Sequence, residues 1–86
     1  MNITTKIQHI ATYDVGEGFY VDIVRKEVPY GPTLEEWIWN EYEGAAKMYV
    51  IGFLEETTPL SEFIKMIEED IEMDKEIYRE LYVEGK

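Results

Sequence analysis

The 86-residue chain contains no cysteine, one histidine (His9) and one serine (Ser61). Without thiols, disulfides, thiolate-bound zinc and cysteine nucleophiles are all excluded. One histidine and one serine leave little from which to assemble an activated nucleophile and its base. Ser61 falls in the first turn of the helix predicted below. His9 falls on the apolar face of a predicted strand, where a half-buried, hydrogen-bonded histidine is expected rather than a catalyst or ligand. No apolar run approaches the roughly 18 to 20 residues of a membrane span. Met1-Asn2-Ile3-Thr4-Thr5-Lys6 lacks the apolar core of a signal peptide. A cytoplasmic protein with no membrane contact is the expectation.

Basic residues are also scarce, with 8 Lys and Arg against 19 Asp and Glu for a net charge of −11. The imbalance is local. Residues 1–34 hold Lys6, Arg25 and Lys26 against Asp14, Glu17, Asp22 and Glu27, a net −1, so residues 35–86 carry the remaining −10. Phosphate contacts need Lys and Arg, so direct nucleic-acid binding is not expected, whereas a basic protein surface would be drawn to this field.

What is present suffices for one folded domain spanning 1–86. Hydrophobic residues make up 45% and aromatics 14% of the chain, above the range of disordered sequences. At this length only about 60 to 65% of the unfolded surface can be buried, which leaves no room for a deep catalytic cleft. From Ile3 to Tyr13 the residues alternate with a period of two, which predicts a strand. Asp14-Val15-Gly16-Glu17-Gly18 supplies glycines for a turn, and Phe19, Val21 and Ile23 then alternate with Tyr20, Asp22 and Val24, completing a hairpin. Pro29, Gly31 and Pro32 are expected to break the ladder and form a loop.

Residues 33–53 admit two readings. Thr33-Leu34-Glu35-Glu36 matches a capping box, and Leu34, Trp37, Ile38, Tyr42 and Ala45 fall at helical spacing, which would make residues 34–42 helical in a ββαβα order. Against this, Trp37 and Trp39 alternate with Glu36, Ile38 and Asn40, Gly44 stands where a turn would be, and Lys47-Met48-Tyr49-Val50-Ile51-Gly52-Phe53 reads as a strand. The second hairpin is preferred. Thr58 as N-cap and Pro59 at the first helical position then open a helix running to about Val83 and closed by Gly85. Its apolar stripe is Leu60, Phe63, Ile64, Ile67, Ile71, Tyr78, Leu81 and Tyr82, and Met66, Met73 and Ile77 form a narrower line expected to widen the core. The predicted fold is α+β: an antiparallel sheet of two β-hairpins with one long C-terminal helix packed on one face.

Chemical motifs fail on inspection. Asp70, Glu72 and Asp74 alternate like the start of a calcium loop, but Lys75 replaces the turn glycine and Leu81 the terminal glutamate. Gly16-Glu17-Gly18 lacks the third glycine and following helix of a dinucleotide fingerprint, so neither a cofactor nor a metal is expected. The abundant carboxylates carry no information about acid/base catalysis in a chain this acidic, and the sequence points to binding rather than to an enzyme.

The constellation that stands out is an acidic ridge, Glu62, Glu69, Glu72, Glu76 and Glu80 with Glu68 beside it, on the helix face opposite the apolar stripe. Glu72 to Glu76 and Glu76 to Glu80 read as like-charge pairs four residues apart, each costing roughly 0.2 to 0.5 kcal/mol. Such carboxylates rise about 6 Å along the axis, comparable to successive phosphates on a nucleic-acid strand. A solvated face that merely keeps the chain soluble accounts for the same charges. A binding surface would add aromatic anchors, with Tyr30, Trp39 and Tyr42 as candidates.

The runs Phe19-Tyr20-Val21-Asp22-Ile23-Val24, Met48-Tyr49-Val50-Ile51-Gly52-Phe53 and Leu60-Ser61-Glu62-Phe63-Ile64 resemble small acidic proteins of bacterial mobile elements. The resemblance spans most of residues 17–84 and implies a sheet capped by a C-terminal helix. In size, acidity and α+β content the chain is also similar in type to phage anti-CRISPR proteins, some of which occupy the nucleic-acid channel of an RNA-guided nuclease. No functional residue is carried over from either. Together these readings lead to an acidic module that binds and inhibits a basic partner, a nuclease or DNA-binding protein. The alternative is an accessory protein that forms a homodimer through an edge strand or the Met66, Met73, Ile77 line.

Overall fold

A computed structural model describes residues 6–29, 31–54 and 59–84. Four strands, β1 (Ile7–Gly16), β2 (Phe19–Val28), β3 (Gly31–Asn40) and β4 (Ala46–Phe53), form one antiparallel sheet in the order β1-β2-β3-β4. Two helices, α1 (Leu60–Met73) and α2 (Lys75–Glu84), follow and cover one face. The α+β class, the antiparallel sheet and the strand rather than helix over residues 33–40 agree with the sequence, while residues 41 and 42 belong to a turn. Ile3, expected in the first strand, Tyr30, expected as an anchor, and Thr58 and Gly85, expected at the helix ends, lie outside the described residues.

Local chemistry explains each connection. Between β1 and β2, Glu17 (φ 57°) and Gly18 (φ 81°) both take positive φ, the conformation of the type I′ turn whose twist matches the flanking strands. The expected break after β2 is instead a tight hairpin, with Val28 opposite Gly31 and Glu27 opposite Pro32. Pro32 is tolerated because a strand residue's N and O point to the same neighbour. Its carbonyl accepts from the Leu54 N–H (3.0 Å), so the missing donor falls on the β4 side and not in the β2–β3 ladder. After β3, the Asn40 side chain accepts from the Tyr42 N–H (2.9 Å), an Asx turn that starts the return to β4.

The single long helix is corrected to two. Asp74 leaves helical geometry (φ −153°, ψ 84°), and its side chain accepts from the Ile77 N–H (3.3 Å), so it caps the start of α2. Aspartate competes with the helix for backbone donors and favours caps. Asp74 and Lys75 also occupy the turn where the apolar stripe would have to continue between Ile71 and Tyr78. Pro59 is the N-cap of α1 rather than its first residue. Met66, Met73 and Ile77 are exposed and do not widen the core.

The core lies between sheet and helices. Val15, Val21, Ile23, Leu34 and Ile38 meet Ile67, Ile71, Tyr78 and Tyr82. Phe19 and Tyr82 pack edge to face at 5.4 Å, a favoured aromatic geometry. The Tyr49 hydroxyl donates to the Leu81 carbonyl (2.7 Å), tying β4 to α2. A register shift between His9 and Ala11 moves His9 off the apolar face, contrary to expectation. The extra residue lets Ile10 and Tyr13 pack against the core while His9 stays exposed on the other side.

Candidate protein-binding surfaces

Two surfaces differ in chemistry, and the sheet separates them. On the helical side Glu62, Glu68, Glu69, Glu72, Glu76 and Glu80 are all exposed. Among the described residues none of the six has a cationic side chain within 4.0 Å, because the ion pairs are His9–Asp22, Arg25–Glu27, Lys26–Glu35 and Arg79–Glu17. Arg79 is committed to the β1–β2 turn, where it donates to the Val15 carbonyl and lies 3.6 Å from Glu17. Glu72 and Glu76 flank the break at Asp74, so they are not neighbours on one helix as the sequence suggested. The ridge falls into a segment on α1 and a segment on α2.

Glu68 is the one member with a structural bond, accepting from the Tyr13 hydroxyl of β1 (2.6 Å). Burial, then this hydrogen bond and the Glu68 charge, push the Tyr13 hydroxyl up to about 12, so it remains a donor well above neutral pH. Glu68, Glu69 and Glu72 with Lys65 and Met73 line a shallow depression on α1. Glu76, Glu80 and Glu84 line another on α2 with Glu17 and Arg79. Beneath the helices Glu36, on β3, has one oxygen that is buried without a hydrogen-bond partner. Burial, reinforced by the Asp70 charge and partly offset by the Tyr78 hydroxyl, raises its carboxyl above the usual carboxylate range.

Among the described residues no helix lies over the other face of the sheet. Residues opposite one another across a ladder share a face, which places Tyr20, Asp22, Val24 and Lys26 of β2 beside Trp39, Trp37, Glu35 and Thr33 of β3, and Met48, Val50 and Phe53 of β4 beside these. Tyr20 and Trp39 stack at 4.6 Å. Glu35, only 5% exposed, accepts from the Trp37 indole (3.0 Å) and the Thr33 hydroxyl (3.4 Å), with the Lys26 ammonium 4.0 Å away. Asp22 accepts from the Thr12 hydroxyl (2.6 Å), and His9 Nε2 lies 2.7 Å from that same hydroxyl. Since Thr12 gives its proton to Asp22, the histidine is a donor in this chain of bonds rather than a base acting on a hydroxyl.

The predicted site residues are therefore not one surface. Trp39 sits across the sheet from the carboxylates, and Tyr42 is exposed at the β3–β4 turn beside Glu41. Trp37, Met48, Val50 and Phe53 were not expected to form a surface. Their signal was present: in β4 both alternating sets are largely apolar, and β3 carries Trp37 and Trp39 in the set alternate to Leu34 and Ile38, which one buried face alone does not require. Among the described residues, no helix is long and apolar enough to cross a membrane and no three His, Asp or Glu side chains are grouped as metal ligands would be. Compared with known protein families, curated proteins and solved structures, the chain matches none.

Proposed function

We propose that this chain is a non-catalytic protein-binding module that holds a basic, nucleic-acid-handling protein against the outer surface of α1 and α2 and so keeps nucleic acid from that partner. The observation that supports this reading is the set of exposed carboxylates without cationic partners, Glu62, Glu69, Glu72, Glu76 and Glu80. A fold gains nothing from clustering like charges, whereas an oppositely charged surface gains both attraction and steering. The break at Asp74 refines the mimicry: the carboxylates offer two short acidic segments, suited to two basic patches, in place of one evenly spaced row.

The test is capture from a panel of nucleases and DNA-binding proteins by wild type and by a variant with Glu69, Glu72, Glu76 and Glu80 changed to Gln. Wild type is expected to retain a basic protein and displace its nucleic acid. The Gln variant is expected to do neither. Raising salt to roughly 0.5 M should weaken the complex, because exposed charges are screened beyond a few ångströms at that strength. Equal capture by both proteins would remove the ridge from the account.

A second reading, a self-associating accessory protein whose charge serves solubility alone, is favoured by one observation: the apolar residues on the uncovered sheet face.

A further inference from the structure

The uncovered sheet face is composed as a surface to be covered. When one face of an antiparallel sheet meets water, its outward positions are usually polar. Here Met48, Val50 and Phe53 take outward positions and are 59%, 65% and 53% exposed, beside Trp37 and the stacked Trp39. The two carboxylates in the middle of this face are already bonded within the chain, Glu35 to Trp37 and Thr33, and Asp22 to Thr12. Those bonds hold both carboxylates within the sheet, so the middle of the face offers a partner mainly Met48, Val50, Phe53 and the two indoles, while the exposed Asp14, opposite Tyr20, and Glu41 stand at its rim.

We infer that this face docks on the same face of a second copy, giving a two-fold sandwich of sheets with both helical layers outward. Charge sets the orientation of such a pair. With −11 per chain, and nine Asp and Glu against three Lys and Arg in residues 59–84, two copies repel wherever their helical layers approach. Face-to-face docking sets the sheets about 10 Å apart, with each helical layer about another 10 Å beyond its own sheet. The acidic layers then stand roughly 30 Å from one another, several times the Debye length of about 8 Å at physiological ionic strength. Size also fits. Strands of 8 and 10 residues, rising about 3.3 Å per residue and spaced about 4.8 Å apart, present a face of roughly 30 by 20 Å. Side-chain relief raises its accessible area above that projection, toward the ~800 Å² per partner of a standard interface. The arrangement is isologous and closed, it leaves α1 and α2 free, and it does not rest on the function proposed above.

The experiment is sedimentation equilibrium of the full chain from roughly micromolar to millimolar concentration, the range of a modest dimer. The mass is expected to rise from one chain to two, and added salt should not weaken the dimer, in contrast to its effect on a complex with a basic partner. Val50→Arg should weaken the dimer about tenfold or more, since it places a charge in an apolar interface. Val50→Thr, which keeps the β-branched shape, should weaken it less, and Met73→Arg on the helical side should leave it unchanged. A single-chain mass at millimolar concentration would overturn the inference. So would a dimer lost on Met73→Arg but kept on Val50→Arg. If wild type stays a single chain and Val50→Arg instead loses capture of a basic protein, the face belongs to that protein and the inference falls. Loss of partner capture in the Gln variant with the dimer intact would leave both claims standing.

Discussion

The two faces of the sheet are made by the same four strands, yet they satisfy burial by different means. On the helix side, branched apolar residues from both layers interlock, and Val21, Ile23 and Ile38 reach complete burial. On the other side Val24 is also nearly inaccessible, at 3% exposed, yet it lies outside the core cluster. It is flanked on its own sheet by His9 and Glu35, its partners across the two ladders. Burial on the first face depends on the helices docking. On the second it depends on side chains leaning over one another within the sheet, which leaves β4 as the part with least cover. Stability of the single chain should therefore reside on the helix side, and substitutions at the exposed positions of the other face should cost the single chain little.

The largest expected effect breaks the first face. Ile71→Ala removes a buried side chain that joins α1 to the sheet and should cost about 2 to 5 kcal/mol in denaturant unfolding. The same truncation at exposed Val50 should cost far less, about 0.5 kcal/mol. Comparable losses at the two positions would erase the distinction between the faces.

Glu36 sharpens the comparison by pH. Its carboxyl is raised on folding, chiefly by burial. The stability tied to this group is therefore fully present below the ordinary carboxylate pKa and is lost as pH rises through the raised value in the fold. Glu36→Gln should gain about 1 kcal/mol or more at neutral pH, the cost of an unpaired buried polar group, and that gain should shrink as pH falls toward about 4. Urea unfolding of both proteins at several pH values measures it. A constant difference across pH would contradict the assignment. A smaller effect, about 1 kcal/mol of destabilisation by thermal unfolding, is expected for Asp74→Ala, which removes the cap of α2. The smallest concerns the acidic ridge. Changing Glu69, Glu72, Glu76 and Glu80 to Gln should leave stability unchanged or raise it by a few tenths of a kcal/mol, since like charges are relieved.

Much of the fold was legible because its devices are local. Alternation in Phe19 to Val24 and in Lys47 to Phe53 marks strands, Glu17-Gly18 marks a tight turn, and the stripe Leu60, Phe63, Ile64, Ile67 and Ile71 marks a helix face. The parts misread depend on competition between neighbours. Asp74 could have continued the helix, and only the polar residues Asp74 and Lys75 at the stripe positions between Ile71 and Tyr78 indicated that it would cap a new one. The His9 face was misassigned because one inserted residue reverses the parity of a strand, and period-two patterns carry no mark of such an insertion. Pro32 was read as a breaker because the sequence does not say to which neighbour its nitrogen points. For the candidate surface, the carboxylates could be found by spacing. That Trp39 lies across the sheet from them follows from register, which long-range pairing sets.

The most direct measurement of the central claim is a competition assay on a captured basic, nucleic-acid-binding protein: displacement of labelled nucleic acid by wild type and by the four-Gln variant across a salt series. The account predicts displacement by wild type that weakens with salt, and its loss in the variant. Equal displacement by both, or displacement that salt does not affect, would contradict the claim that the acidic helical layer is the binding surface.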